Sequence, residues 1–235
     1  MRIDSRANDE IRKIEIHTDV NKYAEGSVII SFGDTKVLIT VSLEEKLPQW
    51  LNGKEMGWIT AEYNMLPRAN QRRTPRDSIL KSGRTYEIQR LIGRSIRAVA
   101  DLTVLKDKSI IIDCDVLQAD GGTRTCSITG AYIAIQNALK RLYNMGVINR
   151  MPLKEPVAAV SAGIVKGEML LDLNYFEDSN AELDMNLVMT ESGRIVEIQS
   201  TSEQRPISKD ELDNLFLLAQ KGIMDIIKVQ KTFFI

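Results

Sequence analysis

Apolar and polar residues alternate from Gly26 to Phe32 and again from Lys36 to Ser42, with Gly33-Asp34-Thr35 between the two runs. Period-two alternation around a short glycine-containing break predicts a β-hairpin with one buried face. A shorter strand is expected from Trp58 to Glu62, after the glycine-bearing segment Asn52 to Gly57. The period then changes. Ile88, Leu91, Ile92, Ile96 and Val99 recur at the spacing of a helix with one buried face. Between strand and helix lies Pro67 to Ser82, polar, arginine-rich and interrupted by Pro75, which reads as an exposed, mobile loop. Ser109 to Leu117 has strand character, and a long helical pattern runs from about Ile128 to Met145.

The second half repeats this plan. Val157 to Val165 and Glu168 to Tyr175 alternate around Lys166-Gly167, and Met185 to Thr190 and Arg194 to Ser200 flank Glu191-Ser192-Gly193. Both pairs read as hairpins. Ser208 and Glu211 form a capping box for a last helix that places Leu212, Leu215, Phe216 and Ala219 on one face. Hairpins followed by helices, twice, predict an α+β fold of two similar lobes, each a mixed β-sheet with helices packed on one side. The join is expected between Gly146 and Pro156, where Pro152 and Pro156 bracket a short linker, dividing residues 1–150 from 151–235.

Composition narrows the chemistry. At 235 residues, 43% hydrophobic and 27% charged, the chain is an ordinary globular sequence able to bury a sizeable core. No apolar run approaches the roughly 20 residues that a membrane helix requires. Met1 to Lys13 is charged throughout and lacks a signal-peptide core, so a cytoplasmic protein is expected. The two cysteines, Cys114 and Cys126, show no metal-type spacing and read as small core residues of a reduced protein. The one histidine, His17, sits in an alternating run typical of a strand surface. A Ser-His-Asp or Cys-His mechanism would depend on it alone. Chemistry here must rest on carboxylates, arginines, a metal or a reactive substrate.

The charge is unevenly placed. Between Leu66 and Arg97 stand nine cations (Arg68, Arg72, Arg73, Arg76, Lys81, Arg84, Arg90, Arg94 and Arg97) against Asp77 and Glu87. That block carries +7 in a chain of net charge −1, so the remainder carries −8. Arg90, Arg94 and Arg97 recur along one helical face. Such a stripe is often only a solvated surface, but this one continues an arginine-rich loop. A single-sign block of this size marks an interaction surface, and nucleic acid is the first partner to consider.

Two further segments carry candidate chemistry. Asp120-Gly121-Gly122-Thr123-Arg124-Thr125-Cys126-Ser127 lies between the predicted strand and the long helix. A helix start offers unpaired N–H groups and the positive end of the dipole, and paired glycines allow close approach to an anion. Thr123, Thr125 and Ser127 add hydroxyls, and Arg124 adds a planar cation suited to phosphate. The alternative is a Gly-Gly turn with helix-capping hydroxyls. Neither a Walker loop nor a dinucleotide fingerprint is present. The other segment runs from Glu177 to Asn186. There Asp178 is expected to end one strand and Asp184 to begin the next, bringing both to one rim of the sheet. Two such carboxylates can hold Mg²⁺ or divide acid and base roles; acidic residues also simply flank solvated turns.

A phosphate seat, a basic surface, magnesium carboxylates and a near absence of histidine suit one reaction. Inorganic phosphate serves as nucleophile on an RNA phosphodiester and releases a nucleoside diphosphate. The same residues carry a resemblance. Gly57-Trp58-Ile59-Thr60-Ala61-Glu62-Tyr63, Gly83 to Arg94, Asp113 to Thr125 and the segments Glu177-Asp178-Ser179 and Asp184-Met185-Asn186 are similar to bacterial RNase PH. The resemblance runs from about Arg2 to Gln230.

It implies an RNase PH-like fold and a phosphate-dependent, reversible 3′→5′ exoribonuclease, a tRNA nucleotidyltransferase that trims tRNA precursors. It further implies action on other structured RNA such as rRNA, and a homohexamer built as a trimer of dimers. By the same resemblance, phosphate would meet Arg84 and the loop of Gly122, Thr123 and Arg124, bordered by Thr125 and Ser127. Asp178 and Asp184 would be catalytic and hold Mg²⁺. RNA would meet Arg68, Arg73 and Arg76 in the loop and Arg90 on the helix, with Arg72 and Arg94 in the same basic surface. The rival is a non-catalytic RNA-binding subunit of an exosome-like ring, which would have no reason to keep both the phosphate loop and the acidic pair.

Overall fold

A computed structural model of the chain describes residues 2–51, 53–76 and 83–234. The first lobe is a five-stranded sheet, β1 (Ile14–Thr18), β2 (Gly26–Phe32), β3 (Thr35–Glu44), β4 (Trp58–Met65) and β5 (Ser109–Gln118), in the order β1-β2-β3-β5-β4. Neighbours are antiparallel except β4 and β5, which are parallel and joined through helix α1 (Gly83–Ala98). The hairpin predicted at Gly33 is present, with Phe32 paired to Thr35.

The second lobe is an antiparallel sheet of β6 (Val157–Val165), β7 (Glu168–Leu171), β8 (Leu183–Thr190) and β9 (Ile195–Ser202), in the order β7-β6-β8-β9. Every residue of β6 is buried. That follows from its position between helix α2 (Thr123–Asn144) on one face and helix α4 (Lys209–Lys231) on the other. Small side chains at Ala158, Ala159 and Ala162 let both helices close on the strand. Helix α4 starts at the expected capping box, Ser208 with Glu211.

Helix α2 ties the lobes together. It packs on β2 and β3 of the first sheet and on β6 of the second, and 16 of its 22 residues are buried. Side chains from both sheets accordingly join one hydrophobic core. Truncating a fully buried member such as Ile133 to alanine would cost about 2–5 kcal/mol. Cys114 and Cys126 are buried free thiols within it, and His17 is exposed on β1, as expected. Among the described residues no helix is long and apolar enough to cross a membrane.

Two boundaries differ from expectation. Helix α2 begins at Thr123, five residues before the apolar periodicity suggested. Strand β7 stops at Leu171, where Asp172 takes a positive φ of 52°. The residues read as the end of that strand, 172–175, instead lead into a short helix, α3 (Tyr175–Ser179). Both changes fall at the same place in the molecule.

Candidate active site at the start of the central helix

Strand β5 delivers the chain into Asp120-Gly121-Gly122, where the two glycines adopt φ +74° and +64°. Such consecutive left-handed residues disfavour any side chain. Space is as limiting as torsion. A Cβ on Gly121 would lie 2.6 Å from the Leu173 carbonyl oxygen and 2.8 Å from the Tyr175 nitrogen. The bare backbone therefore seats the turn directly against the entry to α3. Gly122 is the N-cap of α2 and supplies no side chain, and the first intrahelical bond runs from Cys126 N–H to the Gly122 carbonyl, 3.0 Å. The N–H groups of the opening turn thus lack a side-chain cap at the positive end of a 22-residue helix.

The turn is pinned from beneath by residues far away in sequence. Thr35 Oγ1 accepts from Asp120 N–H at 2.9 Å and donates to the Gly121 carbonyl at 2.6 Å. Arg12 donates to the Asp120 carbonyl at 2.6 Å. Its guanidinium is locked in a bidentate pair with Asp172, at 2.9 Å through Nε and 2.7 Å through the second nitrogen, and both side chains are almost wholly buried. Burial opposes a charged arginine there, and Asp172 overrides it, so the Arg12 pKa is raised and the cation persists. A second buried pair, Arg2 with Glu177 at 2.7 Å, fastens the N-terminal segment to α3.

The loop hydroxyls are arranged differently from the sequence expectation of free donors. Thr125 donates to the Gly122 carbonyl at 2.9 Å, and Ser127 donates to the Thr123 carbonyl at 2.8 Å. Their protons are engaged by the backbone of the helix they help to start. Thr123 accepts from the Tyr63 hydroxyl at 2.9 Å, while burial raises the Tyr63 pKa and keeps that donor protonated.

The acidic pair is assembled from two elements. Asp178 does not end a strand. It rides on α3, which is capped reciprocally by Asn174 and Glu177. Asp184 lies on β8, paired across the sheet with Gly163 and Thr201. Burial raises both pKa values, and the charge of Asp178 raises that of Asp184 further, so the carboxyls share one site. Arg84 and Arg124 oppose the rise at both positions. Arg124 hydrogen-bonds Gln199 and lies 3.5 Å from Glu87, whereas Arg84, in the first turn of α1, is exposed. Two partly buried carboxyls and two arginines therefore lie within electrostatic reach of one another, Arg124 standing in the first turn of the uncapped helix.

Residues 10–140 match domain 1 of the 3′ exoribonuclease (RNase PH) family and residues 155–222 match its domain 2. The chain belongs to this RNase PH family. Three solved structures share its fold. Rice (Oryza sativa) Rrp46 is 19% identical, with a TM-score of 0.80 over 100% of both chains. The Archaeoglobus fulgidus exosome with RNA bound to the active site is 24% identical, with a TM-score of 0.81 over 99% of this chain and 92% of that one. An archaeal exosome core is 23% identical, with a TM-score of 0.77 over 99% and 90%.

Around this RNase PH-family site the expected basic residues are placed unequally. Arg68, Arg72, Arg73, Arg76 and Arg90 are exposed, and Arg68 donates to the Gln71 carbonyl at 3.2 Å. Arg94 pairs with Glu197 on β9 at 3.1 Å. Arg97 leaves the stripe: it stacks on Trp58 at 4.4 Å and donates to the Ile59 carbonyl at 2.7 Å. Lys81 and the loop expected through Ser82 fall outside the described residues from residue 77 on. Sequence reasoning passed over Arg12, Thr35, Tyr63, Asp172 and Gln199. Their partners lie tens of residues away, so no local spacing announces them. The Asn174…Glu177 capping box was a legible signal for α3.

Proposed function

We propose that this chain is a cytoplasmic, phosphate-dependent 3′→5′ exoribonuclease of the bacterial RNase PH type, trimming tRNA precursors and other structured RNA. The observation that carries the reading is the meeting of Asp178 and Asp184 with Arg84, Arg124 and the uncapped start of α2. An oxygen of inorganic phosphate attacks the last phosphodiester phosphorus. The bond from that phosphorus to the preceding nucleotide's 3′ oxygen breaks, and that oxygen takes up a proton. The products are a nucleoside diphosphate and an RNA one residue shorter; the reverse reaction adds a residue. Arg84 and the helix start hold the attacking anion. Arg124 neutralises charge between it and the RNA phosphate. No side-chain nucleophile is required.

Mg²⁺ fits the acidic pair. Among the described residues no group of three or more His, Cys, Asp or Glu is arranged to hold a metal. Mg²⁺ does not require one, because it keeps several waters and takes one or two carboxylates together with substrate oxygens. Burial penalises ionisation of both carboxyls, and the charge of Asp178 penalises that of Asp184 further; a cation held by these carboxylates would relieve that penalty. When bound, it would offset charge on the transferred phosphoryl group.

Assembly of such chains into a ring, a homohexamer in this reading, would gather several arginine loops around one RNA. The likeness to exosome structures also suits a non-catalytic ring subunit. One assay separates the two: tRNA precursor with magnesium, and either phosphate or sulfate. Phosphate-dependent release of nucleoside diphosphates is expected. RNA binding without such release at any phosphate concentration would assign the chain to the non-catalytic class.

A further inference from the structure

Adjoining the phosphate turn, and sharing Asp120 with it, lies a cavity of about 340 Å³ lined by Asn70, Gln71, Arg72, Ala119, Asp120 and Tyr175. Its floor, Ala119 and Asp120, leads directly into Gly121. One wall is Tyr175, the first residue of the helix that carries Asp178, with a side chain that is largely exposed. The start of the arginine loop, Asn70 to Arg72, lines it as well. The pieces are held in place by backbone bonds. Ala119 N–H donates to the Ala69 carbonyl at 2.9 Å, and Tyr175 N–H donates to the Asp120 carboxylate at 3.3 Å.

The lining selects a ligand class. A phosphate would meet the Asp120 carboxylate, so a second anion is disfavoured here. Two amides, a guanidinium and a phenol ring instead suit a flat, uncharged group rich in donors and acceptors. Asn70 and Gln71 each present a carbonyl and an NH₂ and can serve either kind of base edge. Tyr175 and Arg72 offer planar surfaces for stacking, which every base accepts irrespective of sequence. The volume lies at the lower end of the range for small-molecule sites.

We propose that this cavity receives a nucleobase at or next to the RNA 3′ end, stacked on Tyr175, and so sets which phosphodiester stands at the phosphate seat. The inference rests on the exoribonuclease reading of that seat and adds a substrate contact to it. Because Tyr175 heads the helix bearing Asp178, a base seated there would fix the nucleotide relative to the carboxyl pair. Because stacking is indifferent to base identity, trimming would proceed through any sequence.

A cycle of protein and RNA changes tests the contact. The full chain, without phosphate, is titrated with short fluorescent RNA carrying a normal base or an abasic residue at each of the last three positions. Tyr175→Ala should weaken binding of normal RNA about tenfold, as expected for loss of one stacked base. Tyr175→Phe should bind like the wild type. At one of the three positions the abasic RNA should lose the same affinity on wild-type protein and lose nothing further on Tyr175→Ala. Additive losses at all three positions, or unchanged affinity in Tyr175→Ala, would overturn the base site while leaving the exoribonuclease reading intact. Failure of wild-type protein to bind any RNA would overturn both.

Discussion

Burial raises the pKa of both Asp178 and Asp184, and that shift predicts a cost in stability. Burial comes first for each, and the neighbouring carboxylate adds to it for Asp184. Their folded-state pKa values therefore lie above that of the unfolded chain. Below about pH 4 both states are protonated and the pair is neutral in effect. As pH rises above about 4 the unfolded state ionises first, and the folded state loses ground until the raised folded-state values are passed. Asp184→Asn removes this penalty while keeping the shape. It is expected to cut turnover by at least 10²–10⁴-fold, as for loss of an acid or metal-binding group, yet to melt above the wild type at pH 7. The melting difference should shrink as the pH is lowered towards 4. Melting curves at both pH values decide it: a variant no more stable at pH 7 would mean the carboxyls are not strained. A neighbouring residue makes a different prediction. Thr35 is fully buried, and its hydroxyl serves two groups of the Asp120-Gly121-Gly122 turn at once. Thr35→Val keeps the volume, leaves the Asp120 N–H without this partner and the Gly121 carbonyl with only the long 3.5 Å bonds from Arg12, at about 1–3 kcal/mol for the lost pairing. A loosened turn should raise the KM for phosphate about tenfold and leave RNA affinity unchanged. Equal phosphate KM in the two proteins would show that Thr35 supports only the fold.

At the scale of elements, the sequence was most readable where one face of a strand or helix is buried. The hairpins of β2–β3, β6–β7 and β8–β9, the capping box of α4 and the buried face of α1 all carry their pattern in adjacent residues. The site was readable as a set of residue types and much less as geometry. Helix α2 starts a turn and a half earlier than its apolar periodicity, because four of its first five residues, Thr123, Arg124, Thr125 and Ser127, are polar. Asp178 was expected on a strand. The positive φ of Asp172 ends β7, and the Asn174 cap starts a helix in its place. The arrangement depends on contacts between elements that no window of sequence contains, chiefly the seating of Gly121 on residues 173–175. Gly121→Ala tests that seating. The new methyl would lie 2.6 Å from the Leu173 carbonyl oxygen in a backbone conformation already unfavourable for alanine. The turn and α3 must separate or the backbone must strain, at about 1–3 kcal/mol. The variant should fold with a lowered melting temperature and lose most phosphorolysis. Wild-type turnover in a folded Gly121→Ala protein would show that the carboxyl pair does not need this close approach.

For the whole molecule the open question is how a +7 block serves a chain of net charge −1. The structure divides the block in two. Arg94 is satisfied by Glu197 and Arg97 by Trp58 and the backbone of β4, so these tie α1 to its surroundings. Arg68, Arg72, Arg73 and Arg76 stay exposed on a segment whose start forms one wall of the cavity beside the phosphate turn. On one monomer such a loop mostly repels itself. In a ring, several copies would face one tRNA body and guide its 3′ end towards the carboxyl pair. Contacts of this kind go to phosphates, so they depend steeply on salt and little on sequence. Replacing Arg68, Arg73 and Arg76 together with alanine should weaken tRNA binding by at least tenfold at low salt and reduce the slope of log K against log salt by up to about three. Phosphorolysis of a short oligonucleotide, which needs only the site at the start of α2, should change little. Light scattering on the same variant reports the assembly. An unchanged mass with weakened tRNA binding is the expected pair of results. Collapse to dimers would make the loop a subunit contact, and unaltered tRNA affinity at low salt would remove its role in binding RNA.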